Sequence, residues 1–287
     1  MEKKKKHRQG FKTPIWLRLT LKSLEFISPY GAMRTAAYIF SKPLKFKIPE
    51  KEQKAMENCA QENIYIPEID NTILTLTWKN TGEKVLLVHG WSGRGTQLYR
   101  VAEMLHSEGY HVVSFDAPAH GKSSGKTTNI LQVSATISHL DKLKNGFDYL
   151  IGHSLGGMAI FNYCKTPNNV KKIVTLGAGD NMRTIFDNFI LSVGLHQKTS
   201  DRMIAYFEQK FNINIDALSS YVAVQNLQTP TLIVHDEEDY DISVHCSDNI
   251  VKHHPNASLI KTTGLGHRRI LRDDVVLQHI KTFIQKS

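Results

Sequence analysis

Gly152-His153-Ser154-Leu155-Gly156-Gly157 places a serine between glycines, immediately behind the apolar run Tyr149-Leu150-Ile151. A strand that enters such a turn and leaves as a helix pushes the serine side chain out of the backbone path. Glycines at 152 and 156 remove side chains that would otherwise collide where strand and helix nearly touch. The following helix directs its free N–H groups and positive dipole end back at the turn, where an oxyanion would form. Alone, a Gly-x-Ser-x-Gly pentapeptide is a weak signal; its weight comes from its surroundings.

Four other apolar runs end in chemically useful residues. Val85-Leu86-Leu87-Val88 leads into His89-Gly90-Trp91, and Val112-Val113-Ser114-Phe115 into Asp116-Ala117-Pro118-Ala119-His120-Gly121. Thr231-Leu232-Ile233-Val234 leads into His235 and the acidic cluster Asp236 to Asp241, and Leu259-Ile260 into Gly264-Leu265-Gly266-His267. Short β-branched runs separated by helical patterns predict the strands of a parallel sheet buried on both faces. Such sheets bind ligands beyond the carboxyl ends of their strands, and every one of these groups falls at that edge.

With these residues in place the chain resembles the α/β-hydrolase superfamily, on its serine esterase and lipase-like, monoacylglycerol-lipase-like branch. The matching elements are His89-Gly90, Asp116-x-Pro-x-His120-Gly121-x-Ser123, the turn at Ser154, an acid after the penultimate strand, and the terminal Gly266-His267. Nucleophile, acid and histidine follow one another in the superfamily's chain order. The resemblance implies an α/β fold of the α/β-hydrolase type, with a mostly parallel central sheet and helices on both faces. A helical cap insertion and an N-terminal helical extension complete the expected architecture. The expected divisions are a basic tip and helical extension over 1–66, a core over 67–177 and 229–287, and a cap over 178–228.

Within that frame Ser154 is the expected nucleophile. Its hydroxyl needs an adjacent base, and His267 follows the last strand in a glycine-rich loop able to reach across the strand ends. Alignment with a His-Gly-x-x-Asp pattern selects Asp239 as the acid that orients His267, with Asp241 the rival carboxylate. Asp236 stands where the family usually has glycine and is read, with the other acids of the cluster, as a solvated loop charge. The oxyanion hole is expected from the backbone N–H groups of Trp91 and Leu155. Trp91, Phe186 and Phe189 are the expected substrate-binding side chains. His89 and His120 are expected to hold loop geometry, His153 to point away from the reaction centre, and His245, His253 and His254 to lie at the surface.

The implied chemistry is hydrolysis of a small-molecule carboxylic ester, an acyl or small lipid ester, through an acyl-enzyme. Thioesters and amides use the same machinery, and a non-catalytic ligand-binding module is the reading from a different class. Gly121-Lys-Ser-Ser-Gly125-Lys126-Thr127 resembles a phosphate-binding loop but is one residue short between its glycines. No Cys or His cluster has metal-ligand spacing and no GxGxxG follows a strand, so neither metal nor dinucleotide cofactor is implied.

Cys59, Cys164 and Cys246 form no disulfide framework, which favours a reducing, cytoplasmic compartment. The formal charge of +9 is concentrated near Met1-Glu-Lys-Lys-Lys-Lys-His-Arg. Beyond it, Arg18, Lys22 and Glu25 share one face of a predicted helix over 14–27, with Trp16, Leu17, Leu21, Leu24 and Ile27 opposite. Three charges interrupt the run, so it is neither a transmembrane span nor a secretory segment. It reads either as a helix packed on the core or as an interfacial helix that brings residues 1–28 to an anionic membrane, peripherally. No motif supports nucleic acid as a partner. Residues from about 50 to 66 look helical or irregular, and Thr72–Trp78 alternates as a strand.

Overall fold

The computed structural model describes residues 13–286, so the Met1–Arg8 basic tip lies outside the described residues. Eight strands form one sheet: β1 (Ala60–Ile66), β2 (Asn71–Trp78), β3 (Lys84–Val88), β4 (His111–Phe115), β5 (Tyr149–His153), β6 (Lys172–Leu176), β7 (Thr231–Asp236) and β8 (Ala257–Thr262). Their order is β1-β2-β4-β3-β5-β6-β7-β8. β2 runs antiparallel to both β1 and β4, and every pairing from β4 to β8 is parallel. The expected mostly parallel sheet is therefore present.

Alternation along β3 shows why both faces are apolar. Leu86 and Val88 enter one buried cluster, whereas Val85 and Leu87 enter the other. Preceding the sheet are α1 (Ile15–Ile27), α2 (Pro29–Ser41) and α3 (Glu50–Glu57). Within the core follow α4 (Tyr99–Ser107), α5 (Ile130–Leu143) and α6 (Leu155–Tyr163). α5 starts where the Asn129 side chain accepts a hydrogen bond from the Gln132 N–H, capping its first turn. Between β6 and β7 lie α7 (Met182–Ser192), α8 (Gln197–Phe211) and the short α9 (Ser220–Ala223). The chain closes with α10 (His245–His253), the single turn α11 (Gly266–Arg269) and α12 (Asp274–Gln285).

Two expectations need correction. β1 occupies 60–66, where the sequence read as helical or irregular: its outward residues are polar and only Ile64 and Ile66 are buried, so the apolar signal was too sparse. α1 also turns differently from its simple amphipathic reading. Leu17, Leu21 and Leu24 pack inward, while Trp16 and Ile27 stay outside, because α1 has apolar residues on two faces and only one can meet α2. α2 in turn packs against α8, so the N-terminal helices lean on the segment between β6 and β7. No helix among the described residues is long and apolar enough to cross a membrane.

Candidate active site

Ser154 sits between β5 and α6 with φ 53° and ψ −119°, a conformation strained for any residue with a side chain. The turn is tight for a steric reason. A Cβ on Gly156 would lie 2.2 Å from the Val88 carbonyl oxygen, and one on Gly152 would lie 2.5 Å from the Gly157 nitrogen. Serines at helix starts commonly cap, yet the Ser154 side chain makes no capping bond, which leaves its hydroxyl free. That hydroxyl faces a cavity of about 300 Å³.

His267 and Asp239 meet at the ends of β7 and β8. The His267 Nδ1–H donates to Asp239 Oδ2 at 2.6 Å, leaving Nε2 as the ring's proton acceptor. Asp239 Oδ1 accepts the N–H groups of Asp241 and Ile242, each at 2.9 Å. His235 Nε2 lies 3.4 Å from Asp239 Oδ2 and donates to the Ile242 carbonyl at 3.0 Å. Burial works to raise the Asp239 carboxyl, but the hydrogen bonds from His235, His267 and Ile242 outweigh it and hold the group well below the usual carboxylate range. Asp241 joins this network through its backbone alone, and burial raises its carboxyl. Of the two rival acids, Asp239 is the one bonded to His267.

The loop after β3 folds against the serine. A Cβ on Gly90 would lie 2.9 Å from the Ser154 Cβ, so the backbone of this loop approaches closely. The N–H groups of Trp91 and Leu155 bond to none of the described residues. His89 and His120 hold this geometry as expected. His89 Nε2 accepts the Ala117 N–H at 2.9 Å and His120 Nε2 accepts the Ser92 N–H at 3.0 Å. Burial lowers both imidazoles, His89 to about 4 and His120 to about 3. Asp116 accepts the Gly95 and Lys122 N–H groups at 2.7 and 2.8 Å, tying the phosphate-loop-like segment to the sheet edge.

Three histidine and acid readings change. His153 does not point away: its ring lies 4.6 Å from the His267 ring, and Nε2–H donates to the His267 carbonyl at 2.9 Å. The glycine-rich loop folds back across the end of β5, which puts His153 beneath it. His254 is buried, donating from Nε2 to the Thr231 hydroxyl at 2.8 Å, because the chain turns inward there to start β8. Asp236 is not a solvated charge. It is fully buried and accepts the Glu238, Leu265 and Gly266 N–H groups at 3.0, 3.0 and 2.8 Å and the Thr262 hydroxyl at 2.7 Å. Burial opposes ionisation here too, but those donors keep its carboxyl below the usual value. The only hint in the sequence was an acid standing where the resembling pattern has glycine.

The cavity above Ser154 is walled by apolar side chains from several parts of the chain. Phe186 and Phe189 contribute from α7 and Trp91 from the β3 loop. Phe40 on α2 also lines it, a residue that no sequence pattern marked. Its ring centroid lies 4.7 Å from Phe186 (tilted), 5.1 Å from Phe189 (edge-on) and 6.5 Å from Trp91 (stacked).

Comparison with known proteins agrees with this architecture. A family model for the alpha/beta hydrolase fold matches residues 84–218. A Haemophilus influenzae protein named "Putative esterase/lipase" is 25% identical over 242 residues, covering 71% of this chain and 83% of that protein. Lipase 3 of Moraxella sp. is 21% identical over 260 residues, covering 75% of this chain and 79% of its own. The solved structure of an esterase from Exiguobacterium antarcticum superposes with a TM-score of 0.61 at 17% identity, covering 79% of this chain and all (100%) of the esterase.

Proposed function

We propose that this chain, which belongs to the α/β-hydrolase superfamily, hydrolyses carboxylic esters through an acyl-enzyme on Ser154. The observation that carries the reading is the 2.6 Å bond from His267 Nδ1–H to a buried, ionised Asp239, together with an uncapped serine on a strained turn. That bond fixes the tautomer in which Nε2 can take a proton.

Ser154 Oγ attacks the ester carbonyl as its proton passes to His267 Nε2. Asp239 stabilises the imidazolium, and the N–H groups of Trp91 and Leu155 receive the tetrahedral oxyanion. Collapse of the intermediate breaks the carbonyl–alkoxy bond, and the alcohol leaves with the proton held by His267. Water then attacks the acyl-enzyme, gives its proton to His267, and the carboxylic acid departs as Ser154 recovers its hydrogen. In this reading residues 178–228 act as a cap, and the acyl group occupies the aromatic cavity. The names of the Haemophilus and Moraxella relatives point the same way.

Each methylene buried in that cavity contributes about 0.8 kcal/mol, so kcat/KM toward chromogenic esters is expected to climb about fourfold per carbon until the cavity is filled. A fluorophosphonate probe is expected to label the native chain and to leave a folded Ser154→Ala variant unlabelled. Absence of labelling in well-folded native chain would return the molecule to the ligand-binding class. A thioester and an anilide of matched acyl length in the same panel assign the leaving group.

A further inference from the structure

The N-terminal helices combine two properties found together nowhere else among the described residues. Residues 1–47 carry twelve of the thirty-six Lys and Arg but only two of the twenty-seven Asp and Glu, so the rest of the chain is close to neutral. The same stretch holds nine of the fifteen large apolar side chains exposed among the described residues. Such concentration in one stretch of the chain is unlike the scattered exposure of an ordinary surface.

Five of these side chains lie on α1, which holds them in a fixed orientation. Its inner stripe of Leu17, Leu21 and Leu24 packs on the protein. Glu25, the one acid on α1, faces the α7–α8 connection, where it accepts the His196 N–H at 3.1 Å and the Thr199 hydroxyl. The outer stripe of Ile15, Leu19 and Phe26 follows helical spacing, with Trp16 and Ile27 beside it. Phe26 is 92% exposed, Ile27 78%, Ile15 75% and Trp16 67%. Arg18 and Lys22 flank the stripe, and the sequence leading into it contributes five lysines, Arg8 and a single acid, Glu2. An apolar stripe with aromatics, rimmed by bases and free of outward acids, has the chemistry of a helix lying in a lipid headgroup layer. A second copy of the chain would bring two strongly basic segments together, so like-charge repulsion disfavours self-association.

We propose that the outer face of α1, with the basic segment that leads into it, docks this chain on an anionic lipid surface. α2, which packs against the docking helix α1, walls the cavity through Ile39 and Phe40. Docking itself does not depend on the ester reading, and its test has no enzymatic readout.

The full chain is co-sedimented with phosphatidylcholine vesicles and with vesicles containing phosphatidylglycerol, at low and at high salt. Each Lys or Arg near an anionic surface strengthens binding by about fivefold, so partitioning should favour phosphatidylglycerol by well over tenfold and weaken in salt. Phe26→Ser, chosen because this side chain is almost wholly exposed, should weaken binding by about tenfold or more, with an unchanged melting temperature. Lys3, Lys4, Lys5 and Lys6 changed together to Gln should remove most of the lipid selectivity. Equal partitioning into both vesicle types, or a folded Phe26→Ser chain that binds as well as native, would overturn the proposal. So would a dimer in sedimentation equilibrium that Phe26→Ser dissociates, with no vesicle binding.

Discussion

Ser154, His267 and Asp239 act as a unit in the proposed chemistry, and that predicts how their losses combine. Ser154→Ala and His267→Ala should each lower kcat by about a million-fold, and the double variant should lose little more, because either change already ends nucleophilic catalysis. Steady-state ester hydrolysis with background correction measures this; multiplying losses would mean that the two side chains act in separate steps. Asp239→Asn should lower kcat about ten-thousand-fold by favouring the wrong imidazole tautomer. Asp241→Asn should stay near the native rate, because Asp241 serves the network through a backbone N–H that asparagine keeps. Reversed magnitudes for these two variants would move the acid role to Asp241.

The end of β7 and the loop from Gly264 to His267 behave as one element, joined through Asp236. Its carboxylate gathers three N–H groups and a hydroxyl, all of which lose their partner in Asp236→Ala. Each buried donor left unpaired costs about 1–3 kcal/mol, so urea unfolding should report a loss of about 3–5 kcal/mol after partial relaxation. Because the same bonds hold the backbone that carries His267, kcat should fall about a hundredfold with little change in KM. A stable variant with native kcat would show that the loop keeps its shape unaided. The turn before α6 was legible from residue types alone, since glycines 152 and 156 are required by contacts of 2.5 and 2.2 Å. The Asp236 network was not, because its partners lie up to thirty residues away and any acid in a run of acids looks solvated.

For the whole molecule, the buried histidines set the response to acid. Burial holds His89 and His254 to about 4 and His120 to about 3, below the ordinary 6.5. Below pH 6.5 the unfolded chain therefore binds protons that the native one does not, and stability must fall as pH drops toward those native values. Asp239 and Asp236, held below the usual carboxylate value, add the same sign of dependence once the pH falls below about 4. Each histidine contributes a slope of about 1.4 kcal/mol per pH unit in its window. Urea unfolding from pH 7 to pH 5 should show this loss, and His254→Gln, far from the proposed chemistry, should flatten the slope by about one histidine's share. A pH-independent unfolding free energy over that range would contradict neutral burial.

The sequence by itself determined the parallel sheet, the strained serine turn, and the candidate groups gathered at the carboxyl ends of the strands. Those features depend on local chemistry: β-branched runs, close-packed glycines and residue spacing act over a few positions. Only the tertiary structure decided that Asp239 rather than Asp241 meets His267, that Asp236 and His153 brace the histidine's loop, and that Phe40 reaches the cavity. It also decided which of two apolar faces of α1 is covered. Each of these outcomes depends on partners distant in the chain, and burial or pairing of a side chain is fixed by what packs against it, which no local pattern encodes.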